Sequence, residues 1–276
     1  MNILALTDFS KNSDYAFDAA CQLAILTAGT VHVYHSADIP DGWEEMTVEK
    51  KYKDHVNKSV AIAARDKMNL MCNEADGKGI KCKQHFTGGP LTNNIEDLLD
   101  ELPIDLVVMG ARGTGIIQSW VMGSNTKKVI RRIHKNVLVV KEDIGTLSLD
   151  KVVFASGLDL EDKEPFARFL SFIRPFNVKE LHILAINTSS YFSQPVVMMR
   201  AALEKFKSVA SDFNCTTHNY NDYSVPAGVR HFSDEYDIDL IAMSNHSRHP
   251  IKRIFQGSNV ETVVQTCDKL VLTIDY

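Results

Sequence analysis

Residues 106–140 read LVVMGARGTGIIQSWVMGSNTKKVIRRIHKNVLVV, and this stretch decides the fold. It begins with a short apolar run, passes through a glycine-rich loop into a basic segment, and ends in a second apolar run. Short apolar runs bounded by turn residues are typical of buried parallel strands. The stretch therefore predicts a strand, a loop, a helix and a second strand.

The loop in this stretch carries the residue types of a phosphate-binding cradle. Gly110, Gly113 and Gly115 allow the backbone to approach a ligand, and the sequence from Gly123 to Thr126 opens the helix. Amides and hydroxyls at a helix start suit phosphate oxygens, and the helix dipole adds positive potential. One such glycine is more often turn chemistry, so the interpretation depends on the whole set. It predicts binding of the phosphates of a nucleotide.

Length, composition and charge limit the class of protein. The 276 residues suit two domains of about 140 residues each. The contents of hydrophobic (45%) and charged (24%) residues are average for a globular chain, which argues against disorder. A net charge of −5 argues against a general nucleic-acid or anionic-membrane surface. No apolar run approaches the roughly 20 residues of a membrane span.

The N-terminal residues and the cysteines give information on the cellular compartment of the protein. The first residues lack the basic region of a signal peptide and are typical of a strand. Five cysteines are scattered along the chain without CxxC spacing. This pattern predicts reduced, partly buried thiols in a cytoplasmic protein.

Upstream of residue 106, apolar runs alternate with helical patterns. The order predicts an α/β fold with a doubly wound, mostly parallel five-stranded sheet and helices on both faces. Ligands of such sheets bind at the carboxyl ends of strands, at the topological switch point. Asp8 follows the first strand and Gly110 ends the fourth, so we expect them to converge. Alternatively, Asp8 only caps the first helix, although Ser10 or Ser13 can fill that role.

The second half of the chain repeats the first. Asp239–Met243 repeats Asp105–Met109, and both runs are followed at identical spacing by Gly-Ser-Asn, at Gly123 and at Gly257. Duplication of one domain explains this match. It predicts two tandem domains of the same fold, 1–146 and 149–276.

The two copies differ in chemistry. The replacements from the first copy to the second are Asp8 by Gly157, Gly110 by Ser244, Gly113 by Ser247, Gly115 by His249 and Thr126 by Val260. Each change adds bulk or removes a polar group from the cradle. We therefore expect the second copy not to bind the same ligand in the same way.

At these residues the sequence resembles the universal stress protein family in its tandem two-domain form. The family's ATP-binding members carry G-x2-G-x9-G-[ST], and the segment from Gly110 to Ser124 matches this motif without gaps. Thr7-Asp8-Phe9-Ser10 resembles the turn after the family's first strand, and Gly88-Gly89-Pro90 resembles the loop before its third helix. The resemblance covers both halves of the chain.

The resemblance implies an ATP site in residues 1–146, with or without Mg²⁺. It implies that Asp8 contacts the ribose and that Thr7 and Ser36 line the nucleoside pocket. The remaining implied ligand contacts are Met109, Gly110, Gly113, Gly123, Ser124, Asn125 and Thr126, with Arg112 as an added charge unless it is simply solvated. Ser124 also has the alternative role of N-cap of its helix.

The resemblance also implies how the copies assemble. Members of the family pair through their last strands, and Val137–Val140 leaves an exposed edge unless it is covered. Val271–Ile274 of the second copy is the natural cover, which gives an intramolecular pseudo-dimer. Dimerisation of the whole chain is compatible with this arrangement.

The sequence assigns no catalytic residue. It contains no Walker A lysine, no G-x-S-x-G elbow and no G-x-G-x-x-G fingerprint. The cluster of His231, His246 and His249 is interpreted as surface histidines and not as a zinc site.

The leading hypothesis is a cytoplasmic, ATP-binding stress-response or signalling protein that has no nucleic-acid or membrane partner. Nucleotide occupancy would order the 110–126 loop and alter a surface recognised by an unknown protein partner. The alternatives are an interaction or small-ligand module without nucleotide, and a slow ATPase or autophosphorylating protein.

Overall fold

The computed structural model describes residues 1–112, 122–158, 160–188, 196–244 and 259–275. The strands in these ranges are β1 (Asn2–Leu6), β2 (Thr30–Ala37), β3 (Lys81–Gly88), β4 (Leu106–Gly110), β5 (Asn136–Val140), β6 (Lys151–Ala155), β7 (Glu180–Asn187), β8 (Cys215–Asn221), β9 (Leu240–Ser244) and β10 (Leu270–Ile274). The helices are α1 (Lys11–Thr27), α2 (Val48–Lys53), α3 (His55–Gly77), α4 (Leu91–Glu101), α5 (Ser124–Arg132), α6 (Lys163–Ile173), α7 (Val196–Val209), α8 (Val225–Glu235) and α9 (Asn259–Thr266). Within the described ranges, no helix is both long and apolar enough to cross a membrane.

The chain divides into two compact units. Of the described residues, the first unit contains 1–112, 123–135 and 142–145, and the second contains all the others. In the first unit the strand order is β3-β2-β1-β4, with parallel pairing throughout. In the second unit the order is β5-β10-β9-β6-β7-β8. The predicted α/β fold, with a mostly parallel sheet built from five strands of each repeat, is confirmed.

Strand β5 lies in the second unit, although in the sequence it closes the first repeat. Residues 136–141 belong to the second unit. The reason is that β5 pairs antiparallel with β10, with Val139 opposite Val271 and Leu138 opposite Leu272. This is the pairing that the resemblance to the family implied for the last strand of the first copy.

Burial explains why the first unit forms around β1 and β4. Both strands are almost entirely buried, as expected for central parallel strands covered on both faces. Helix α1 packs on them through its predicted apolar stripe, which includes Ala16, Ala20 and Leu23. Ser10 is the N-cap of this helix, and its side chain accepts a hydrogen bond from the amide of Ser13.

The charged stretch from residue 43 to about 73 has an apolar rhythm typical of one long helix, but it forms two helices, α2 and α3. Asp54 separates α2 from α3, with backbone angles of φ −98° and ψ 77°. Its carboxylate accepts hydrogen bonds from the amide and the side-chain nitrogen of Asn57. The apolar rhythm is continuous across this position, so periodicity alone predicts no break, whereas the side-chain cap creates one.

The cysteine chemistry differs from the prediction. Cys72, on α3, forms a disulfide with Cys82, on β3, across a sequence separation of 10 residues. The expectation that all five cysteines are reduced is therefore wrong. The spacing of these two cysteines matches no redox or metal motif, so it did not indicate the pairing. The pairing depends on how the last turns of α3 lie against β3. Cys21, Cys215 and Cys267 are free thiols, and burial raises their pKa values to about 12, 11 and 11, respectively.

Candidate functional site

A cavity of about 270 Å³ opens at the carboxyl ends of β1, β2 and β4 in the first unit. Its lining residues are Leu6, Thr7, Asp8, Ser13, Tyr34, Ser36, Leu91, Met109, Gly110, Arg112, Gly123, Ser124, Asn125 and Thr126. Ten of the eleven site residues predicted from the sequence are in this set. Gly113 lies outside the described residues, as do Gly115 and the glycine motif of the second copy. The structure thus brings the described predicted residues together at the expected switch point.

Four lining residues were missed by the sequence reasoning. Leu6 and Tyr34 lie on β1 and β2, Ser13 lies in the first turn of α1, and Leu91 opens α4. Their positions at or near the ends of elements were a usable signal, since the carboxyl ends of parallel strands meet at one edge. Leu91 also directly follows the Gly88-Gly89-Pro90 turn, which was already identified.

The turn after β1 presents Asp8 to the cavity. Phe9 adopts a left-handed conformation with φ 59°, and its amide donates to the Thr7 hydroxyl oxygen at 3.0 Å. The amide of Ser10 donates to the Asp8 carboxylate at 3.1 Å. Ser10, not Asp8, caps α1. The alternative that Asp8 serves only as a helix cap is therefore wrong, and its carboxylate lines the cavity.

A chain of hydroxyls forms the polar floor beneath this turn. The Ser13 hydroxyl donates to the carbonyl oxygen of Ser10 at 2.8 Å and lies 3.1 Å from the Thr7 hydroxyl. Because Ser13 has already donated its proton, Thr7 is the donor between the two hydroxyls. On the other side, the Nδ1 atom of His35 lies 2.8 Å from the Thr7 carbonyl oxygen and donates to it. Burial lowers the pKa of His35, which favours the neutral ring.

The start of α5 faces the same cavity without a side-chain cap. Gly123 is the N-cap, so the interpretation of Ser124 as N-cap is wrong. The first amide of the helix to bond back to the Gly123 carbonyl is that of Lys127, at 3.1 Å. The amides of residues 124–126 belong to the first turn, which leaves them for an external acceptor. An uncapped helix start with positive potential is suited to an anion.

Thr126 holds the two ends of the loop together. Its hydroxyl, which is 2% exposed, donates to the carbonyl oxygens of Gly110 (3.1 Å) and Ala111 (3.3 Å). The amide of Gly123 also donates to the Ala111 carbonyl, at 3.0 Å. Since the single hydroxyl proton of Thr126 is already donated, it is not available to a phosphate oxygen. Its side chain therefore serves the shape of the site.

Gly110 is required by helix packing. A Cβ atom built on it would lie 2.8 Å from both the carbonyl carbon and the carbonyl oxygen of Asn12, in α1. The sequence predicted that this glycine lets the backbone approach a ligand. The structure gives a further reason, which is the close approach of α1 to β4.

Replacement of Gly110 by alanine is expected to destabilise the protein even without a ligand. The added methyl group meets backbone atoms, so α1 must shift, at a cost of about 1–2 kcal/mol. Urea denaturation of the ligand-free protein measures this. Gly77→Ala is the matched control, because its Cβ meets nothing within 4 Å. Equal stability of the two variants would contradict the packing role of Gly110.

Comparison with known proteins identifies the family. A model of the universal stress protein family matches residues 1–141, which is half of the chain. The chain belongs to the universal stress protein family.

Among the described residues there is no group of three or more His, Cys, Asp or Glu side chains that could hold a metal ion.

The similarity to family members extends over both halves. Universal stress protein Slr1230 from Synechocystis is 24% identical over 300 aligned residues, covering 99% of each chain. Universal stress protein MJ0577 from Methanocaldococcus jannaschii is 24% identical over 157 residues, covering 50% of this chain and 93% of that protein. The crystal structure of a universal stress protein from Archaeoglobus fulgidus has a TM-score of 0.76 at 17% identity, covering 99% of this chain and 96% of that one. The tandem form of the family predicted from the sequence is confirmed.

Proposed function

We propose that this universal stress protein binds ATP in its first unit and acts as a nucleotide-dependent module in stress response or signalling. The observation that carries the proposal is one cavity lined both by the Asp8 carboxylate and by the uncapped start of α5. The carboxylate carries negative charge and suits the ribose hydroxyls of a nucleotide, whereas the helix start has positive potential and suits the phosphates.

Each part of the cavity suits one part of the nucleotide. The Asp8 carboxylate accepts hydrogen bonds, and the ribose offers a pair of hydroxyl donors. The apolar residues Leu6, Leu91 and Met109 are also part of the lining, and apolar lining suits the base. The amides of residues 124–126 and the guanidinium of Arg112 suit phosphate oxygens.

The mechanism that follows is a binding switch. One ligand would join the end of β1 to the start of α5, and thereby bias the loop that connects β4 to α5. We propose that a protein partner recognises this difference, and that the second unit serves as a structural or partner-binding copy. Pairing of the two repeats as a pseudo-dimer, dimerisation of the chain and a cytoplasmic location belong to the same proposal. In the cytoplasm the disulfide between Cys72 and Cys82 would be exceptional, because structural disulfides are rare in that compartment.

Addition of Mg-ATP is expected to raise the melting temperature of the protein. At a ligand concentration of 100 times Kd, mass action adds about 2.7 kcal/mol of stability. Asp8→Ala is expected to remove the shift by deleting the ribose acceptor. Asp100→Ala, which removes an exposed carboxylate of α4 away from the cavity, is the matched control and keeps the shift.

The same titration, together with assays of co-purified nucleotide and of phosphate release, separates the alternatives. A wild-type protein that shows no shift at millimolar Mg-ATP and carries no nucleotide through purification is an interaction or small-ligand module. Steady phosphate release that survives further purification and disappears in Asp8→Ala identifies a slow ATPase. Either result replaces the proposed function.

A further inference from the structure

The second repeat builds the same turn as the first at its switch point. Leu158 has φ 60°, and its amide donates to the Ser156 hydroxyl oxygen at 2.7 Å, as Phe9 does to Thr7 in the first repeat. The amide of Ser156 donates to the Leu184 carbonyl at 3.0 Å, matching the bond from Thr7 to Tyr34. The backbone frame of the site is therefore retained in both copies.

The chemistry on this frame is different. The residue six positions after the turn hydroxyl is Ser13 in the first repeat and Asp162 in the second. Asp162 is 1% exposed, and its two carboxylate oxygens accept hydrogen bonds of 2.6 Å from Ser156 and from Ser244. Ser244 replaces Gly110 at the end of the equivalent strand. One carboxylate thus bridges the ends of β6 and β9.

Because both oxygens of Asp162 act as hydrogen-bond acceptors, these bonds favour the ionised carboxylate, which places a negative charge where the first repeat has a hydroxyl facing its cavity. Hydrogen bonds to an ionised carboxylate are stronger than neutral ones, so the arrangement holds both strand ends firmly. A second anion at the same point would meet like charge in a site from which water is largely excluded. The geometry therefore favours a switch point in the second repeat whose strand ends are held together by Asp162 without a bound ligand.

We propose that Asp162 is an internal anionic ligand of the second repeat, which holds β6 to β9 and closes that repeat to nucleotides. In the first repeat a bound nucleotide would then connect the end of β1 to the start of α5, whereas in the second repeat Asp162 already connects the ends of β6 and β9. The part of this inference that concerns nucleotides rests on the proposed function. The bridge that Asp162 forms between β6 and β9 does not rest on the proposed function.

Hydrogen exchange with and without Mg-ATP tests the selectivity. In the wild type, nucleotide is expected to slow exchange at the ends of β1 and β4 and at the start of α5, and to leave the ends of β6 and β9 unchanged. Slower exchange at β6 and β9 on addition of Mg-ATP overturns the inference. If neither repeat responds, the proposed function fails, and the following variants still decide whether the bridge exists.

Variants of Asp162 test the internal ligand. Asp162→Ala is expected to speed exchange at the ends of both β6 and β9 by roughly tenfold, because two hydroxyls lose one shared acceptor. Formate, a free carboxylate of matching size, restores protection in this variant but not in the wild type, and chloride at equal ionic strength does not. Unchanged exchange in the variant, or equal effects of formate and chloride, overturns the proposal. If Asp162→Ala does not fold, Ser244→Ala must loosen β9 in the same way.

Discussion

Acidification below about pH 6.5 is expected to destabilise the protein through two partly buried histidine pairs. In the first repeat, the Nδ1 atom of His32 lies 2.9 Å from the Nε2 atom of His85, between β2 and β3. In the second repeat, the Nδ1 atom of His182 lies 3.0 Å from the Nε2 atom of His218, between β7 and β8, and the Thr216 hydroxyl lies 2.9 and 3.2 Å from these two nitrogens. A bond between two imidazoles needs one donor and one acceptor, so at least one ring of each pair is neutral.

The surroundings of the first pair oppose protonation. Burial lowers the pKa of His32 to about 4, and His85, Lys83 and Lys81 add positive charge that acts in the same direction. Burial also lowers the pKa of His85, with a smaller contribution from Lys83. No acidic group is among the causes of either shift. Protonation of this pair therefore places uncompensated charge next to β3.

The second pair is subject to more balanced charges. Burial lowers the pKa of His218 to about 4, and His182 adds to the shift, whereas Glu235 opposes it. Burial likewise lowers the pKa of His182, Lys151 acts in the same direction, and Glu180 opposes the shift. The first pair is thus expected to be the more acid-sensitive of the two.

The sign of the effect follows from linkage. The histidines titrate near pH 6.5 when unfolded and at lower pH when folded, so the unfolded chain binds protons first. Their contribution to stability is fully present above pH 6.5 and is lost as the pH falls towards 4. For the buried ring of His32 the shift corresponds to a loss of roughly 3 kcal/mol, and the loss is smaller for the less buried His218.

Urea denaturation between pH 7.5 and about 4.5 measures this dependence. Combined His85→Gln and His218→Gln substitutions are expected to flatten it, because each pair then loses one titrating ring. His55→Gln, which changes an exposed histidine of α3, is the control and retains the wild-type slope. Parallel pH profiles for the wild type and the double variant would show that the pairs do not carry the effect.

Reduction of the disulfide between Cys72 and Cys82 is expected to lower the free energy of unfolding by roughly 2.5 kcal/mol, the chain-entropy value for a loop of this length. The cross-link joins the C-terminal part of α3 to β3, which pairs with β2 on one side in the described sheet. Loss of the cross-link therefore affects the edge of the first unit. The physical cause is the greater freedom of the reduced, unfolded chain.

Thermal denaturation with and without dithiothreitol measures this contribution. A Cys72→Ser, Cys82→Ser variant is expected to match the reduced wild type and to show no response to the reductant. Cys215→Ser removes a free thiol and is expected to keep the full response. If dithiothreitol leaves the wild-type melting temperature unchanged, the disulfide contributes nothing to stability under those conditions.

Local patterns in the sequence predicted most of the fold and of the cavity. The apolar runs at β1 and β4, the stripe on α1 and the repeated spacing after Met109 and Met243 are encoded by residues close together in the chain. The convergence of Asp8 with Gly110 followed from strand order alone, because parallel strands place their carboxyl ends at one edge. The break at Asp54 was missed, since an apolar rhythm does not reveal a side-chain cap.

The sequence by itself determined the fold class, the duplication, the family and a candidate site in the first repeat. Only the tertiary structure decided the roles of particular atoms. Gly110 leaves room for α1, the Thr126 hydroxyl donates hydrogen bonds to the end of β4, and the Asp162 carboxylate connects the ends of β6 and β9. It also revealed the disulfide and the two histidine pairs. These features depend on strand register and helix packing between distant residues, and the chemical identity of a residue does not specify which atom it will meet.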